Sequence, residues 1–184
     1  MDLHFKLLTA HEVALLHAMH VTCFDMPWRQ EAFESLLTLP TTLVLGAFLD
    51  IHKLGSAPHQ IELDYPPHPS AVNKNISSQD FSEIFVGFMM LSILSGAEAE
   101  ILTFCVHPKY QQLGIGRQLM DELLSSLTIF HCTRCYLDVA ENNTSAIKLY
   151  ENFGFKVTGK RQNYYIDSKG ETLSALLMTF DVEK

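Results

Sequence analysis

Apolar and polar positions along the first fifty residues alternate between strand-like and helix-like spacing. LHFKLLT, residues 3–9, alternates enough to predict a first strand. In AHEVALLHAMHVTCF the apolar residues recur at helical spacing, which predicts a helix with Thr9 as its N-cap. Pro27 begins a second amphipathic pattern that ends near Pro40, and the β-branched, apolar TTLVLGAFLD at 41–50 predicts another strand.

The regular spacing stops at residues 51–82. This segment holds four of the seven prolines and has no sustained period, so it predicts a long loop inserted between two strands. A loop of this length within a compact domain is usually either functional or disordered, and the sequence leaves both interpretations open.

Beyond the loop, the pattern predicts two strands, a helix and a further strand. IFVGFMMLSIL and EAEILTFCV predict two strands joined by a tight turn at Ser95-Gly96. The leucines after QQLGIG repeat on one helical face, and RCYLDVA, residues 134–140, predicts a buried strand. A strand, helix and strand in this order form a crossover, which makes the two strands parallel and places a ligand at their carboxyl ends.

The last part of the chain predicts a short helix and a hairpin. NNTSAIKLYENFGF is typical of a helix capped by Asn142 or Asn143 and closed by Gly154. KVTGKRQNYYI and TLSALLMTF predict two strands that pair across a turn at 167–170. Together these elements predict a mixed α/β fold around one sheet, as a single domain over residues 1–184 with the loop insertion at about 51–82.

Composition narrows the class of protein. With 184 residues and 47% hydrophobic content, the chain can bury one substantial core. It shows neither an apolar stretch of about 18 residues nor a leader-like N-terminus, which favours a cytoplasmic protein without a membrane anchor and with its four cysteines reduced. A net charge of −8 disfavours nucleic acid as a direct partner and favours a basic one.

QQLGIG, residues 111–116, lies between a predicted strand and a predicted helix. The first turn of a helix presents unpaired backbone NH groups and a partial positive charge, so it binds anions wherever the chain allows close approach. Gly114 and Gly116 remove Cβ atoms there, and Arg117 adds a cation. Taken alone, the pattern is more often a tight strand-to-helix turn, and it lacks the spacing of the dinucleotide and P-loop motifs.

Several motifs follow one another along the chain: Pro27-Trp28, ILTFCVHPKYQQLGIGRQLM, LDVAENNTSAIKLYENFGF and RQNYY, which span most of residues 1–182 outside the predicted loop. Taken in this order, they resemble the motifs of the GCN5-related N-acetyltransferase (GNAT) family. Within the family, NxxAIxLYxxxGF followed by RxNYY is similar to the RimI type, the ribosomal-protein-alanine N-acetyltransferases. The resemblance implies the GNAT fold, one mixed and mostly antiparallel sheet with a splayed pair of parallel strands, flanked by helices.

The resemblance also implies acetyl-CoA as cosubstrate and a set of residues that bind it. The thioester would lie between ILTFCV and RCYLDVA, close to the main chain of Phe104, Cys105 and Val106. The pyrophosphate would lie on the loop formed by Gln112, Leu113, Gly114, Ile115, Gly116 and Arg117. The side chain of Asn143 would reach the cosubstrate, although a helix N-cap is at least as common a role for such an asparagine, and the two roles can coexist.

Two catalytic residues follow from the same resemblance. Tyr150 matches the family's LY position, where a phenol can give a proton to the leaving thiolate, although a buried helical tyrosine is more often a core residue. RimI-type enzymes usually have a glutamate where this chain has Asp138, so the expected base is one methylene shorter. Glu100 is the competing base, and a charged residue on solvent is the alternative for either carboxylate.

Cysteine and histidine patterns predict no metal site. Cys132 and Cys135 lie between a helix and a strand rather than at a helix start, and no second ligand pair accompanies them, so both are expected in the core. His107, before Pro108, is interpreted as a surface turn residue in preference to a phosphate ligand.

The sequence therefore predicts an acetyl-CoA-dependent N-acetyltransferase that acts on a basic protein N-terminus, with the N-terminal alanine of a small-subunit ribosomal protein as the leading acceptor. One alternative is a small-amine acetyltransferase, acting on a polyamine, an amino acid or an aminoglycoside. Another is a non-catalytic CoA-binding module, for which Asp138 in place of glutamate is the best support. The oligomeric state is left open.

Overall fold

A computed structural model describes residues 2–50, 83–95, 97–166 and 169–182, so the predicted loop at 51–82 lies outside the described residues. The strands are β1 (Leu3–Leu8), β2 (Thr42–Asp50), β3 (Glu83–Leu94), β4 (Glu98–Val106), β5 (Arg134–Ala140), β6 (Lys156–Ile166) and β7 (Thr172–Asp181). The helices are α1 (Val13–Cys23), α2 (Gln30–Leu37), α3 (Ile115–Ile129) and α4 (Thr144–Asn152), with short 3-10 turns at Ala10–Glu12 and Pro108–Tyr110.

In the described part of the chain, these strands form one seven-stranded sheet in the order β1-β2-β3-β4-β5-β7-β6. Every neighbouring pair is antiparallel except β4 and β5, which are parallel because α3 carries the chain across between them. The predicted mixed, mostly antiparallel sheet with one parallel pair is confirmed.

The start of the chain forms the predicted elements with small shifts at their ends. Thr9 is an N-cap, as expected, and its side chain and that of Glu12 form a reciprocal capping box. This cap opens a 3-10 turn, and α1 begins only at Val13. The second helix begins at Gln30 instead of Pro27, because the backbone NH of Trp28 donates to the ring of His20 on α1 and holds this segment outside the helix.

Two apolar clusters cover the two faces of the sheet. The leucines of α3, among them Leu119 and Leu123, pack with Tyr150 of α4 against inward residues of β3, β4 and β5. On the other face, α1 and α2 contribute Met19 and Phe33, which pack against side chains of β2 and β3. Within the described residues no helix is long and apolar enough to cross a membrane.

Candidate active site

The parallel strands β4 and β5 separate part of the way along their length. Their paired positions run from Glu98 opposite Arg134 to Ile101 opposite Leu137. Each strand then continues, β4 to Val106 and β5 to Ala140, and no further pair between them occurs within the described residues. The resulting opening between residues 102–106 and 138–140, here called the splay, agrees with the fold expected from the sequence.

A bulge in β4 lies where the splay begins. On β3, Met90 is opposite Thr103 and Leu91 is opposite Ile101, which leaves Leu102 without a partner. Leu102 packs against the cluster of α1 and α2, and the Thr103 hydroxyl lies 3.3 Å from His20 of α1, so these consecutive residues both face α1. Because an extra residue bends a strand and increases its twist, β4 turns away from β5 directly after their last pair.

The three β4 residues expected at the thioester line one side of the splay. Cys105 is buried toward α1, while Phe104 and Val106 pack on the side of α3. The carbonyl of Val106 accepts a 3.0 Å hydrogen bond from the side chain of Gln111. Among the described residues this part of β4 has no partner strand on the side of the splay, which leaves main-chain groups there to interact with a ligand.

The loop at 111–114 has the form of an anion-binding turn. Gln112 and Gly114 have left-handed backbone angles, φ 62° and φ 82°, on either side of Leu113, and turns of this kind direct successive NH groups into one concavity. The loop is exposed, and α3 starts directly after it with its positive end at the loop. Arg117 is exposed within the first turn of α3, whereas Ile115 buries its side chain and offers main chain only.

The two glycines of this loop have different surroundings. A Cβ atom at Gly114 would meet no atom of the described residues within 4 Å, so on that part of the chain the glycine faces open space. A Cβ atom at Gly116 would lie 3.5 Å from both Phe104 and Leu149, inside the protein. Gly114 therefore leaves room for a ligand, while a Cβ atom at Gly116 would make ordinary van der Waals contacts with β4 and α4.

Asn143 is the N-cap of α4, which selects it over Asn142. Its carboxamide oxygen accepts from the backbone NH of Ala146 at 3.2 Å and from the Ser145 hydroxyl at 3.1 Å. Both bonds use the oxygen, so the amide nitrogen is the group that could donate to a cosubstrate.

Tyr150 occupies the core beside the splay. It is 6% exposed, and its ring lies 6.4 Å from that of Phe104 and 5.8 Å from that of Phe155. Burial raises the pKa of the Tyr150 hydroxyl well above its usual value, and interaction with Tyr165 adds to the increase. The phenol is therefore a core aromatic and also a group that keeps its proton throughout the neutral pH range.

Asp138 is the first residue of β5 beyond the last pair with β4. It projects from the face opposite Leu137 and Val139, as alternation predicts. Its side chain is only 11% exposed, and Oδ2 lies 3.3 Å from Nε of Arg161. Oδ1 is buried with no hydrogen-bond partner among the residues that the structure describes. A buried oxygen in that state is stabilised when it accepts a hydrogen bond.

Glu100, the competing carboxylate, lies on the same face but where the strands are still paired. Its partner on β5 is Tyr136, whose hydroxyl donates at 2.7 Å to Glu98 rather than toward the splay. Position along the strands therefore favours Asp138, which lies at the opening, over Glu100, which lies before it.

Two side chains of β6 at this site were not identified from the sequence. The Tyr165 hydroxyl donates to the main-chain carbonyl of Asp138 at 3.3 Å, and burial, with a contribution from the Asp138 charge, raises the pKa of Tyr165 to about 12. Arg161 reaches Asp138 and stacks 5.1 Å from the centre of the Tyr164 ring. Their only signal was the RQNYY motif, because β6 contacts β5 across an intervening strand, β7.

The cysteine and histidine expectations have different outcomes. Cys132 and Cys135 are buried in the core, as predicted, and desolvation raises the pKa of Cys135 to about 12. The surface position expected for His107 is wrong, since the residue is 4% exposed. Its ring accepts from the backbone NH of Lys109 and so closes the turn from inside. Among the described residues no cluster of side chains could hold a metal ion.

The described residues thus combine a splayed parallel pair, an exposed glycine-containing loop at the start of the intervening helix and a tyrosine beside the opening. Residues 16–155 match the model of the Acetyltransferase (GNAT) family. This match covers more than half of the chain, which therefore belongs to the GNAT family of acetyltransferases, and the resemblance found in the sequence is confirmed. Members of this family use acetyl-CoA.

Similar proteins include two curated enzymes. The chain is 34% identical to the ribosomal protein bS18-alanine N-acetyltransferase of Escherichia coli strain K12 over 85 residues. These aligned residues cover 46% of this chain and 57% of that enzyme. It is also 36% identical to the spermine/spermidine N(1)-acetyltransferase of Bacillus subtilis strain 168 over 69 residues, and these cover 37% of this chain and 42% of that enzyme. The chain thus spans about half the length of these curated relatives.

A solved structure shares the whole fold. The crystal structure of the ribosomal-protein-S18-alanine N-acetyltransferase from Escherichia coli matches with a TM-score of 0.75 and 20% sequence identity. The match covers 100% of this chain and 96% of that one. At this identity the likeness concerns the fold.

Proposed function

We propose that the protein transfers the acetyl group of acetyl-CoA to a protein N-terminal amine, with the N-terminal alanine of a small-subunit ribosomal protein as the leading acceptor. The observation that carries the proposal is the splay, with Asp138 on one face of the sheet and Tyr150 packed on the other. Donor and acceptor can enter from opposite faces and meet between the strands.

Residues around the splay would hold the cosubstrate through three kinds of contact. The main chain of residues 104–106 supplies NH and carbonyl groups beside the thioester. The loop at 112–117 supplies backbone NH groups, the positive end of α3 and the Arg117 cation for the pyrophosphate. Asn143 supplies an amide donor from the start of α4. Acetyl-CoA brings an acetyl group bound to a thiolate leaving group.

Asp138 and Tyr150 carry the two proton transfers. An N-terminal ammonium must lose a proton before its nitrogen can attack a carbonyl, and Oδ1 of Asp138, buried and without a hydrogen-bond partner among the described residues, would accept that proton directly or through one water. The leaving thiolate must be protonated, and the raised pKa of Tyr150 keeps a proton on its hydroxyl for that step. The reaction is a direct attack in a ternary complex and needs no covalent intermediate on the protein.

Two facts support a protein N-terminus as acceptor. The bS18-alanine enzyme is similar over 85 residues, and a chain with a net charge of −8 suits a basic acceptor segment. Similarity to the spermine/spermidine enzyme supports the second candidate, a polyamine or another small amine.

The test compares acceptors under identical conditions. Acetyl transfer from acetyl-CoA is measured with an alanine-initiated ribosomal peptide, with the same peptide carrying a blocked N-terminus, and with spermidine. We expect kcat/KM to be highest for the free peptide and no transfer to the blocked one. A preference for spermidine reverses the choice of acceptor, and tight CoA binding without turnover on either acceptor favours a non-catalytic module.

The residue roles have their own test in single-turnover kinetics. Asp138→Asn and Tyr150→Phe should each slow transfer by about 100-fold or more, the usual contribution of a positioned acid or base. If neither variant is slower than the wild type, the two assignments are wrong. Mass spectrometry of ribosomal-protein N-termini from cells with and without the protein identifies the acceptor in vivo.

A further inference from the structure

The ion pair between Arg161 and Asp138 is asymmetric in two respects. Nε of Arg161 contacts only Oδ2, at 3.3 Å, while Oδ1 has no hydrogen-bond partner among the described residues. The Arg161 side chain is 51% exposed, whereas that of Asp138 is 11% exposed. A half-exposed guanidinium is screened by water, so the pair adds little to fold stability, and its consequence lies in the geometry of the carboxylate.

The position of Arg161 is itself defined by the strands around it. Arg161 is opposite Ala175 on β7, and Ala175 is opposite Ala140 on β5. Because Ala175 is small and fully buried, the longer Arg161 side chain can pass over β7 to reach β5. Tyr164 then supports the guanidinium from one side, with 5.1 Å between the cation and the ring centre.

β6 is distorted where these side chains leave it. Arg161 and Tyr165 are four positions apart, yet their partners on β7, Ala175 and Leu173, are only two apart. Asn163 between them has a left-handed φ of 52°. With this distortion Arg161 and Tyr165 both reach Asp138, while the intervening Tyr164 contacts both of them.

We propose that Arg161 is a positioning residue for Asp138, which holds Oδ2 so that Oδ1 alone points to the reacting amine. This inference rests on the proposed function, in which Asp138 is the base. An aspartate has one methylene less reach than a glutamate, so its carboxylate must be oriented closely to serve the same amine. A planar guanidinium fixes a carboxylate oxygen more rigidly than a flexible ammonium does.

A different role for Arg161 is direct contact with the acceptor, since half of its side chain is exposed. The two roles differ in kinetics. A residue that orients the base changes kcat, whereas one that binds acceptor in the ground state changes KM with kcat unaltered.

The experiment uses Arg161→Gln, Arg161→Lys, Asp138→Asn and the double variant in the acetyl-transfer assay, each at saturating acetyl-CoA. We expect Arg161→Gln to lower kcat by about 10- to 100-fold, as a misplacement of about 1 Å does, with KM changed less than about twofold. Arg161→Lys should recover part of the loss. The double variant should be no slower than Asp138→Asn alone, because both changes act on one group.

Arg134→Gln is the matched control. It also removes an arginine that bridges to an aspartate of a neighbouring strand, Asp181, but at the far end of β5. It makes the same change in charge and residue type, and because it lies away from the splay we expect wild-type kcat.

Each remaining result contradicts the proposal in a distinct way. A raised KM with unchanged kcat in Arg161→Gln makes Arg161 an acceptor contact. If Arg161→Gln is fully active while Asp138→Asn is slow, Asp138 remains the base and Arg161 has no positioning role. If Asp138→Asn is fully active, Asp138 is not the base, and the inference about Arg161 fails with that assignment. If the wild type acetylates no amine, the proposed function fails, but crystal structures can still test whether Arg161 positions Asp138. If Asp138 has the same rotamer in the wild type and in Arg161→Gln, the positioning role is refuted.

Discussion

Lowering the pH should destabilise this protein through one buried histidine of α1. His20 is 2% exposed and lies between the rings of Phe24 and Trp28. Its Nδ1 accepts from the backbone NH of Trp28 at 3.2 Å, and its Nε2 lies 3.3 Å from the Thr103 hydroxyl at the β4 bulge. Desolvation lowers the pKa of His20 from 6.5 to about 4, with a smaller contribution from the charge of His17.

The sign and size of the effect follow from these two pKa values. Above pH 6.5 the imidazole is neutral in both the folded and the unfolded chain, so His20 adds no pH dependence. Between pH 6.5 and about 4 only the unfolded chain takes up the proton, and the free energy of unfolding falls as the pH falls. At about 1.4 kcal/mol per pH unit for one proton, the loss by pH 4 is about 3 kcal/mol.

Urea unfolding at several pH values between 7 and 4 measures this loss. Trp28 is the only tryptophan of the chain and stacks 5.3 Å from His20, so its fluorescence reports the region directly. His20→Asn keeps an acceptor near the position of Nδ1 but cannot titrate, and its stability should fall by about 2 to 3 kcal/mol less than that of the wild type over this range.

His17→Asn is the control variant. It keeps the imidazole of His20 and removes a nearby charge that opposes its protonation in the folded state, so the fall should persist but end at slightly higher pH and be slightly smaller. If wild type and His20→Asn lose stability in parallel, then His20 does not stay neutral in the folded protein and the reasoning is refuted.

Two further predictions concern the cosubstrate loop and the buried phenol. Gly114→Ala should lower the free energy of unfolding by about 1 kcal/mol, because the φ of Gly114 is 82°, and should raise the Kd for acetyl-CoA measured by calorimetry. Gly116 is helical, so Gly116→Ala should leave stability unchanged or raise it, with Kd nearly unchanged. Equal effects of the two variants on Kd would contradict the loop assignment. Because the folded-state pKa of Tyr150 is raised, its contribution to stability is complete below pH 10 and is lost as the pH rises further, so Tyr150→Phe should flatten the alkaline fall in urea unfolding. Identical alkaline curves would contradict the burial of an ionisable phenol.

Much of the fold was predictable because its signals are local. The apolar alternation of β4 and β5 identified both strands with their observed bounds, 98–106 and 134–140. Thr9 was recognised as a cap and the cap of α4 was narrowed to Asn142 or Asn143, since a cap depends on one side chain and the next few backbone NH groups. The crossover rule then required the two strands to be parallel, as they are.

The candidate site was predictable only where a motif marks it. The exposed loop with Gly114 and the tyrosine at position 150 were identified from the family pattern, and their chemistry follows from residue type. The same pattern could not distinguish Gly114, which faces open space, from Gly116, which faces Phe104. That difference depends on which side of α3 meets the sheet.

By itself, the sequence determined the kinds of element, their order, the parallel crossover and the residue types available for acetyl transfer, because each depends on neighbours along the chain. Only the tertiary structure decided where β4 and β5 part, through the unpaired Leu102, and which cation meets Asp138, through the register that lets Arg161 pass over Ala175. Register and bulges are set by pairing between distant strands, and a shift of one residue reverses the face of every side chain that follows.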